Sequence, residues 1–398
     1  MKIKIEPGKG QGEVILPPSK SLFHRTLLCA ALAGGESTIY GRLAGEDLDA
    51  TCRAVKVLGA QASVTQDRVK VVGTSPFHRP EATLDCASSG TTLRLSLPLL
   101  LLSDEPVTLL MSKQLAVRPL AIYQELLCEK GILWEQKETE LFLSGKLAPG
   151  QYVLPGDVSS QFVSGLLLAL PLLDGDSKIR LTKPLESRPY VEMTRQVQKA
   201  FSVETEKTDD GFFIRGGQPY KPTDFIVEGD ATVAAVYETL NGFGSSILLP
   251  NAPISLLQGD ARFSELAKKV RDHEVVDLTD TPDLSPTLFA LAAFYGKGHF
   301  VGTRRLAYKE SNRATSMKEE LSAFGVELTV SENEVLVSGS LQKPSRALFC
   351  HDDHRIAMAL ATLCTLTGGT LDGAECVEKS YPEFWQDLAT LGFAVAEQ

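Results

Sequence analysis

The sequence predicts an α/β protein of two domains, each assembled from three βαβαββ units. A hairpin segment that recurs at constant spacing is the first observation behind this. Its copies read VLGAQASVTQDRVKVVG, CEKGILWEQKETELFLSG and SAFGVELTVSENEVLVSG, running from Gly59 to Gly73, Gly131 to Gly145 and Gly325 to Gly339. A fourth copy, AFSVETEKTDDGFFIRG, keeps that spacing from Ser202 to Gly216 with Ser in the turn, and the chain ends inside a further one, after Leu391-Gly392-Phe393. Alternating apolar residues on either side of a polar turn read as paired strands. The second observation is what precedes each hairpin. The order ATLDC, SSGTTLRLSLPLLLLS, PVTLLMS, RPLAIYQELLCEKG alternates strand with helix, so the unit is βαβαββ, with a period of about 70 residues that buries its apolar face only against its siblings. Composition is the third: 398 residues with 43% apolar and 7% aromatic content suit two globular α/β domains.

In chain order, MKIKIEPGKGQGEVILPPSK reads as a short alternating strand without the apolar core of a leader peptide. The longest apolar stretch, Leu95 to Leu102, contains Pro98 and falls far short of the roughly 20 residues a membrane helix needs. A cytoplasmic protein that does not enter a membrane is expected. Three copies of the unit precede residue 229; a diverged copy near residues 230 to 297, the clear one and the truncated one follow. The junction lies at Val227-Glu228-Gly229-Asp230, where Asp230 is the N-cap candidate for the helix of DATVAAVYETLNGF. Seven scattered cysteines without a C-x-x-C pair suggest neither a disulfide framework nor a thiolate metal site. A net charge of −10 excludes nucleic acid as the expected partner, so positive charge meant for a small anionic ligand must be concentrated locally.

That concentration is found at helix starts. In Pro17-Pro18-Ser19-Lys20-Ser21-Leu22-Phe23-His24-Arg25, prolines hold the entry and Lys20, Ser21 and Arg25 stand where free N–H groups and the helix dipole favour an anion. Cys86-Ala87-Ser88-Ser89-Gly90-Thr91-Thr92-Leu93-Arg94 is a second such turn, with Gly90 letting backbone approach a ligand closely. Arg118, in VRP, opens another helix, and Asp157-Val158-Ser159-Ser160-Gln161 and Glu186-Ser187-Arg188-Pro189-Tyr190 add hydroxyls, an amide and a phenol. In the second half the matching places hold Asp283, the run Lys309-Glu310-Ser311-Asn312-Arg313, the run His351-Asp352-Asp353-His354-Arg355, and Lys379. On a helix Lys309 and Arg313 share a face while Glu310 turns away by about 100°, which suits an anionic substrate that also exchanges a proton. The two histidines three apart could ligate a divalent metal, but Arg355 opposes a cation, and a capped helix facing an anion fits better.

These motifs, SKSLFHR, SSGTTLR, VRP, SSQF, SRPY, TPDLSP, KESNR, DHR and the Lys before YPEF, resemble in kind and order those of the 5-enolpyruvylshikimate-3-phosphate synthase family over essentially the whole chain. The resemblance implies a two-domain inside-out α/β barrel that closes on its substrates. One domain is expected over residues 1–16 and 230–398, carrying Asp283, Glu310 and His354, and the other over 17–229, carrying the phosphate site for shikimate 3-phosphate. It implies that Ser159, Ser160 and Ser187 hold that phosphate, with Lys20, Ser21, Arg25, Gln161, Tyr190, Asp283 and Lys309 around the rest of the molecule. Phosphoenolpyruvate would lie against Gly90 among Lys20, Arg118, Gln161, Arg313, Arg355 and Lys379.

The implied reaction is addition of the substrate 5-hydroxyl to C2 of the enol ether with protonation at C3, then loss of phosphate and a C3 proton. Glu310 is the candidate at C3, Lys20 and Asp283 serve the hydroxyl, and His354 supports Glu310 or the leaving phosphate. No metal or organic cofactor is required by this chemistry; a monomer and a target of the phosphoenolpyruvate mimic glyphosate are expected. The sequence departs from the family at Ser88 and His24, both often Asn, and at Asn312, where Asp is usual and whose lost carboxylate would deprive Arg313 of an orienting partner. The rival reading is the sister enzyme acting on UDP-N-acetylglucosamine, which typically has a Lys-Asn pair where Lys20-Ser21 stands.

Overall fold

Helices buried on every side form the inside of each half of this protein, and sheets with one wet face lie outside them. The computed structural model describes residues 1–42, 45–74, 82–253 and 257–398. Residues 254–256 of the expected diverged copy lie outside that set. The chain divides into two compact units, Met1–Pro17 with Glu228–Gln398, and Pro18–Val227.

In the unit Pro18–Val227 three four-stranded sheets share one strand order: two parallel strands, then an antiparallel hairpin whose second strand lies inside and first strand at the edge. Thr83–Asp85, Val107–Leu110, Glu140–Ser144 and Leu133–Lys137 make one of them. The sheet around Gly35–Tyr40 borrows its outer parallel strand, Phe225–Ile226, from the far end of the unit. Three helices run through the interior, Lys20–Leu32, Gly90–Leu100 and Ser160–Ala169, and each is buried at every position but its second. The exceptions are Ser21, Thr91 and Gln161. A helix apolar all round is stable only when enclosed, so these segments lie within the ring of sheets and offer only their first turns to a ligand.

The unit containing both chain ends repeats the pattern with interior helices Ala231–Gly242, Ser285–Tyr295 and His354–Thr367. Asp230 caps the first, accepting from the N–H groups of Thr232 and Val233 at 2.9 and 3.2 Å. Its sheets show what the clear, the truncated and the diverged copies become. Val275–Asp277, Lys297–Val301, Glu334–Gly339 and Val326–Val330 make one complete sheet. In the next, Leu348–Phe349 and Gly369–Asp372 are joined by the N-terminal strand Lys2–Ile5, which takes the inner place of the hairpin, with Val395–Glu397 at the edge. The truncated last copy is thereby completed by the first residues of the chain. Among the described residues the diverged copy has only the parallel pair Gln11–Glu13 with Ser246–Leu248. Its second helix, Phe263–Arg271, leads straight into the next sheet at Val275, so this unit is βαβα without a hairpin.

The turn that starts each hairpin explains the constant spacing. Gly59, Gly131 and Gly325 have φ of 88, 82 and 77°, and Ser202 takes the same left-handed conformation at 66°. A helix stopped by a left-handed residue redirects the chain into a strand within one residue.

Candidate active site

In the unit Pro18–Val227, Lys20 opens its buried helix and is itself 9% exposed. Its ammonium lies 2.7 Å from the carboxylate of Asp47, on the neighbouring helix Glu46–Val57. Arg25, one turn on and 2% exposed, donates to Thr194 Oγ1 at 2.7 Å and to the carbonyls of Ser21 and Tyr190 at 2.7 and 3.2 Å. Burial pulls its pKa down to about 10, and the fixed carbonyls leave it rigidly placed. His24 hydrogen-bonds through Nδ1 with Thr51 Oγ1 at 2.6 Å, and burial, with Lys20 and Arg25 nearby, holds its ring well below the usual histidine pKa. This departure from the family pattern therefore adds no charge.

Gly90 starts its helix under two guanidinium groups. A Cβ built there would lie 2.6 Å from Arg118 Nη1 and 3.1 Å from Arg94 Nη1, so no side chain fits without moving Arg118. Arg94 donates to Gln161 Oε1 at 2.9 Å, and Gln161 Nε2 donates to Thr91 Oγ1 at 2.9 Å, which ties the starts of two interior helices together. Ser88 donates to Ser112 Oγ at 3.0 Å, so the hydroxyl at this departure joins two turns. Ser159 caps its helix by accepting from the N–H of Gln161, and Ser160 is 6% exposed. Ser187, 2% exposed, sits in the left-handed region at φ 54° just before the helix Arg188–Ala200. A β-carbon there costs about 1–3 kcal/mol.

In the other unit the five-residue run is not helical at its start, contrary to the shared-face expectation. A 3-10 turn ends at Tyr308, Lys309 is extended, Asn312 caps by accepting from the N–H of Thr315, and the helix begins only at Arg313. Lys309 and Arg313 meet through a third residue instead: Asp283 Oδ1 lies 2.9 Å from Lys309 Nζ and 2.7 Å from Arg313 Nη1, and its Oδ2 lies 3.5 Å from Arg355. Burial alone would raise the Asp283 pKa, but Lys309, Arg355 and Arg313 outweigh it and hold the carboxyl well below its usual value. The ammonium of Lys309 is shifted down by burial against the pull of Asp283.

Asn312 supplies no carboxylate, but Arg313 takes its orientation from three others. Arg313, fully buried, donates to Asp353 at 2.9 Å, to Asp283 at 2.7 Å and to Glu310 at 2.8 Å. Burial works against its charge; Asp353, Glu310 and Asp283 more than offset that and raise its pKa. Asp353 also caps the helix His354–Thr367 through the N–H of Arg355, with His354 1% and Arg355 6% exposed at its first positions. Lys379 lies 2.7 Å from Asp352 Oδ1 and donates to the Asp352 carbonyl at 2.7 Å. As a metal motif the run His351 to His354 does not converge: His351 turns to Glu320, Asp352 to Lys379 and Asp353 to Arg313. Ligand atoms of Glu319, Glu320 and His351 do lie within 4.8 Å of one another, but Arg346, 2.8 Å from Glu320, occupies that carboxylate with a cation.

Each unit thus brings candidates together: Lys20, Ser21 and Arg25 on one helix start, Gly90 against Arg118 and Arg94, and Arg94 bonded to Gln161; and Asp283, Lys309, Glu310, Arg313 and Arg355 in one ion-pair cluster. Sequence reasoning gave no role to Asp47, Arg94, Thr194 or Asp353. Arg94 and Asp353 lay inside quoted motifs, whereas Asp47 and Thr194 carry no local signal, being partners chosen by helix packing.

In both units, then, helix starts carry anchored cations on an α/β scaffold with its helices inside. EPSP synthase from Acinetobacter baumannii superposes with a TM-score of 0.80 at 23% identity over 100% of both chains, and the enolpyruvyl transferase NikO from Streptomyces tendae with 0.75 at 16% over 99% and 98%. The family described as EPSP synthase (3-phosphoshikimate 1-carboxyvinyltransferase) matches residues 5–388. Relatives named 3-phosphoshikimate 1-carboxyvinyltransferase from Clostridium kluyveri and Clostridium acetobutylicum are 36% and 37% identical, covering 99% of this chain and 98% of theirs. The chain belongs to the EPSP synthase family. Among the described residues no helix is long and apolar enough to cross a membrane.

Proposed function

We propose that this chain transfers the enolpyruvyl group of phosphoenolpyruvate to the 5-hydroxyl of shikimate 3-phosphate and releases phosphate. The observation that carries the reading is the cluster on Asp283, where three cations and the carboxylate of Glu310 are fixed within ion-pair distance. Two polyanionic substrates need many anchored cations, and charges already held in place need no reorganisation as the reaction proceeds. The names of the relatives support this over the UDP-N-acetylglucosamine reading.

The roles follow from chemistry at each position. Ser159, Ser160 and Ser187 bind the substrate phosphate at helix N-termini, where N–H groups and dipole favour it. Ser21, Arg25, Gln161, Tyr190 and Lys309 bind the rest of shikimate 3-phosphate. Phosphoenolpyruvate takes Lys20, Arg118, Gln161, Arg313, Arg355 and Lys379 against the bare backbone of Gly90. The 5-hydroxyl gives its proton to Asp283, with Lys20 stabilising the developing alkoxide, as C3 of phosphoenolpyruvate takes a proton from Glu310. In the tetrahedral intermediate the phosphate leaves, Glu310 takes back a C3 proton, and His354 donates toward the departing phosphate. Glu310 thus acts first as acid and then as base at C3, and the cycle closes when the proton taken up by Asp283 is passed on to the departing phosphate. We further propose that the protein acts as a monomer in the cytoplasm.

Mixing the protein with both substrates and following phosphate tests the reading; folded protein that releases none above background defeats it. Glu310→Gln is expected to lower kcat by about 10²- to 10⁴-fold while shikimate 3-phosphate still binds by calorimetry. Near-normal turnover in that variant removes Glu310 from the role.

A further inference from the structure

A carboxylate two helical turns beyond Arg313 has no part in the chemistry above, yet it is fully buried and used on both oxygens. Glu320 Oε2 accepts from Arg346 Nη1 at 2.8 Å and from the N–H of Phe349 at 3.0 Å, and its Oε1 pairs with His351 Nε2 at 3.0 Å. Arg346, mostly outside the core, closes a second bond to Oε1 at 3.3 Å. Two of these partners, Phe349 and His351, belong to one stretch of chain, which leads from the strand Leu348–Phe349 into the helix His354–Thr367.

That stretch contains an unusual turn. His351 and Asp352 are consecutive non-glycine residues in the left-handed region, at φ 53 and 52°. Side chains disfavour that conformation, so surrounding structure has to impose it. Two groups do so here. Lys379 grips Asp352 through its carboxylate and its carbonyl, and Glu320 grips His351 and the Phe349 N–H. The residue that follows, Asp353, then reaches Arg313 Nε and caps the helix that carries Arg355. Arg313 and Glu320 belong to the same helix, Arg313–Ala323, so that helix clasps the turn at both of its ends.

We propose that Glu320 is a positioning residue: through His351 and the Phe349 N–H it holds the left-handed turn that places Asp353 and Arg355, and so sets the cations that receive phosphoenolpyruvate. This rests on the reading that Arg313, Arg355 and Lys379 bind that substrate. Hydrogen bonds to a charged acceptor are stronger than those to a neutral one, so an amide at position 320 loosens the clasp with little change in shape.

Three measurements test it on the whole chain: KM for each substrate with kcat, thermal unfolding, and amide hydrogen exchange across residues 349–355. Glu320→Gln is expected to raise KM for phosphoenolpyruvate roughly tenfold, leave KM for shikimate 3-phosphate unchanged, and speed exchange in that stretch. His351→Asn is the gentler second variant, since Asn tolerates the left-handed backbone but is too short to keep the contact; the same split is expected. A lower melting temperature with both KM values unchanged shows a purely structural brace and overturns the proposal, as does a parallel rise of both. Unaltered exchange in both variants overturns it whatever the kinetics. If the unsubstituted protein releases no phosphate, the reading of function falls, while exchange still decides whether Glu320 holds the turn.

Discussion

At Gly90 the missing side chain is occupied by a guanidinium. A methyl group there would stand 2.6 Å from Arg118 Nη1, and since that contact is shorter than any Cβ tolerates, Arg118 must move. Gly90→Ala is expected to raise KM for phosphoenolpyruvate by about tenfold, or ~1.4 kcal/mol, and to weaken inhibition by the bulkier mimic glyphosate more strongly. Unchanged inhibition constants would show that this turn does not line the site. Asp283 carries a pH dependence. Its folded pKa lies below the ordinary aspartate value, so its stabilisation is complete above that ordinary value and is lost as pH falls through and beneath it. Asp283→Asn leaves the buried Arg313 and Arg355 and the half-buried Lys309 each short of a partner and is expected to cost about 3–5 kcal/mol at neutral pH. The gap to the parent protein should narrow below about pH 4; denaturant unfolding at several pH values checks this. A gap independent of pH would mean the carboxylate is not ionised in the folded protein.

At the scale of elements, the candidate site residues stand at helix beginnings. Ser21, Thr91 and Gln161 are the positions where three otherwise buried helices come into view. These first turns hold strain as well as charge: Ser187, His351 and Asp352 all have positive φ next to a helix start. Removing strain and removing a ligand can therefore be separated in opposite directions. Ser187→Gly relieves a left-handed serine, worth about 1–3 kcal/mol, and deletes the hydroxyl proposed for the phosphate. Higher melting temperature with a raised KM for shikimate 3-phosphate is expected; a KM that does not move would exclude Ser187 from the site. The KESNR run was legible as a charged segment before a helix, but its geometry was not. A helical spacing rule assumed that Lys309 and Arg313 meet on one face, whereas they meet on Asp283, some 26 residues back in sequence from Lys309. Local pattern cannot report a partner supplied by another element.

For the whole molecule, the two ends of the chain close one sheet. Lys2–Ile5 lies between Gly369–Asp372 and Val395–Glu397, with Ile3 and Ile5 at 3% and 0% exposure. Losing two buried isoleucines, at about 1.5–3 kcal/mol each, along with both ladders is more than most domains can spare. A chain lacking residues 1–6, far in sequence from Asp283, is expected to lose the folding transition of the unit that carries Asp283 and to keep that of Pro18–Val227. Calorimetry that retains both transitions would refute this.

The sequence by itself determined the repeating unit and the charged helix starts, because periodicity, capping and turn signals are local and recur in each copy, and the kind and order of its motifs carried the resemblance to the family. Only the tertiary structure decided that the first strand completes the last repeat, that one copy lacks its hairpin, and which acid faces each cation. Those outcomes depend on which distant segments become neighbours after packing. At Arg313 that distinction is plain: its position at a helix start could be read from KESNR, while the three carboxylates that hold it come from its own loop, from Asp283 and from Asp353.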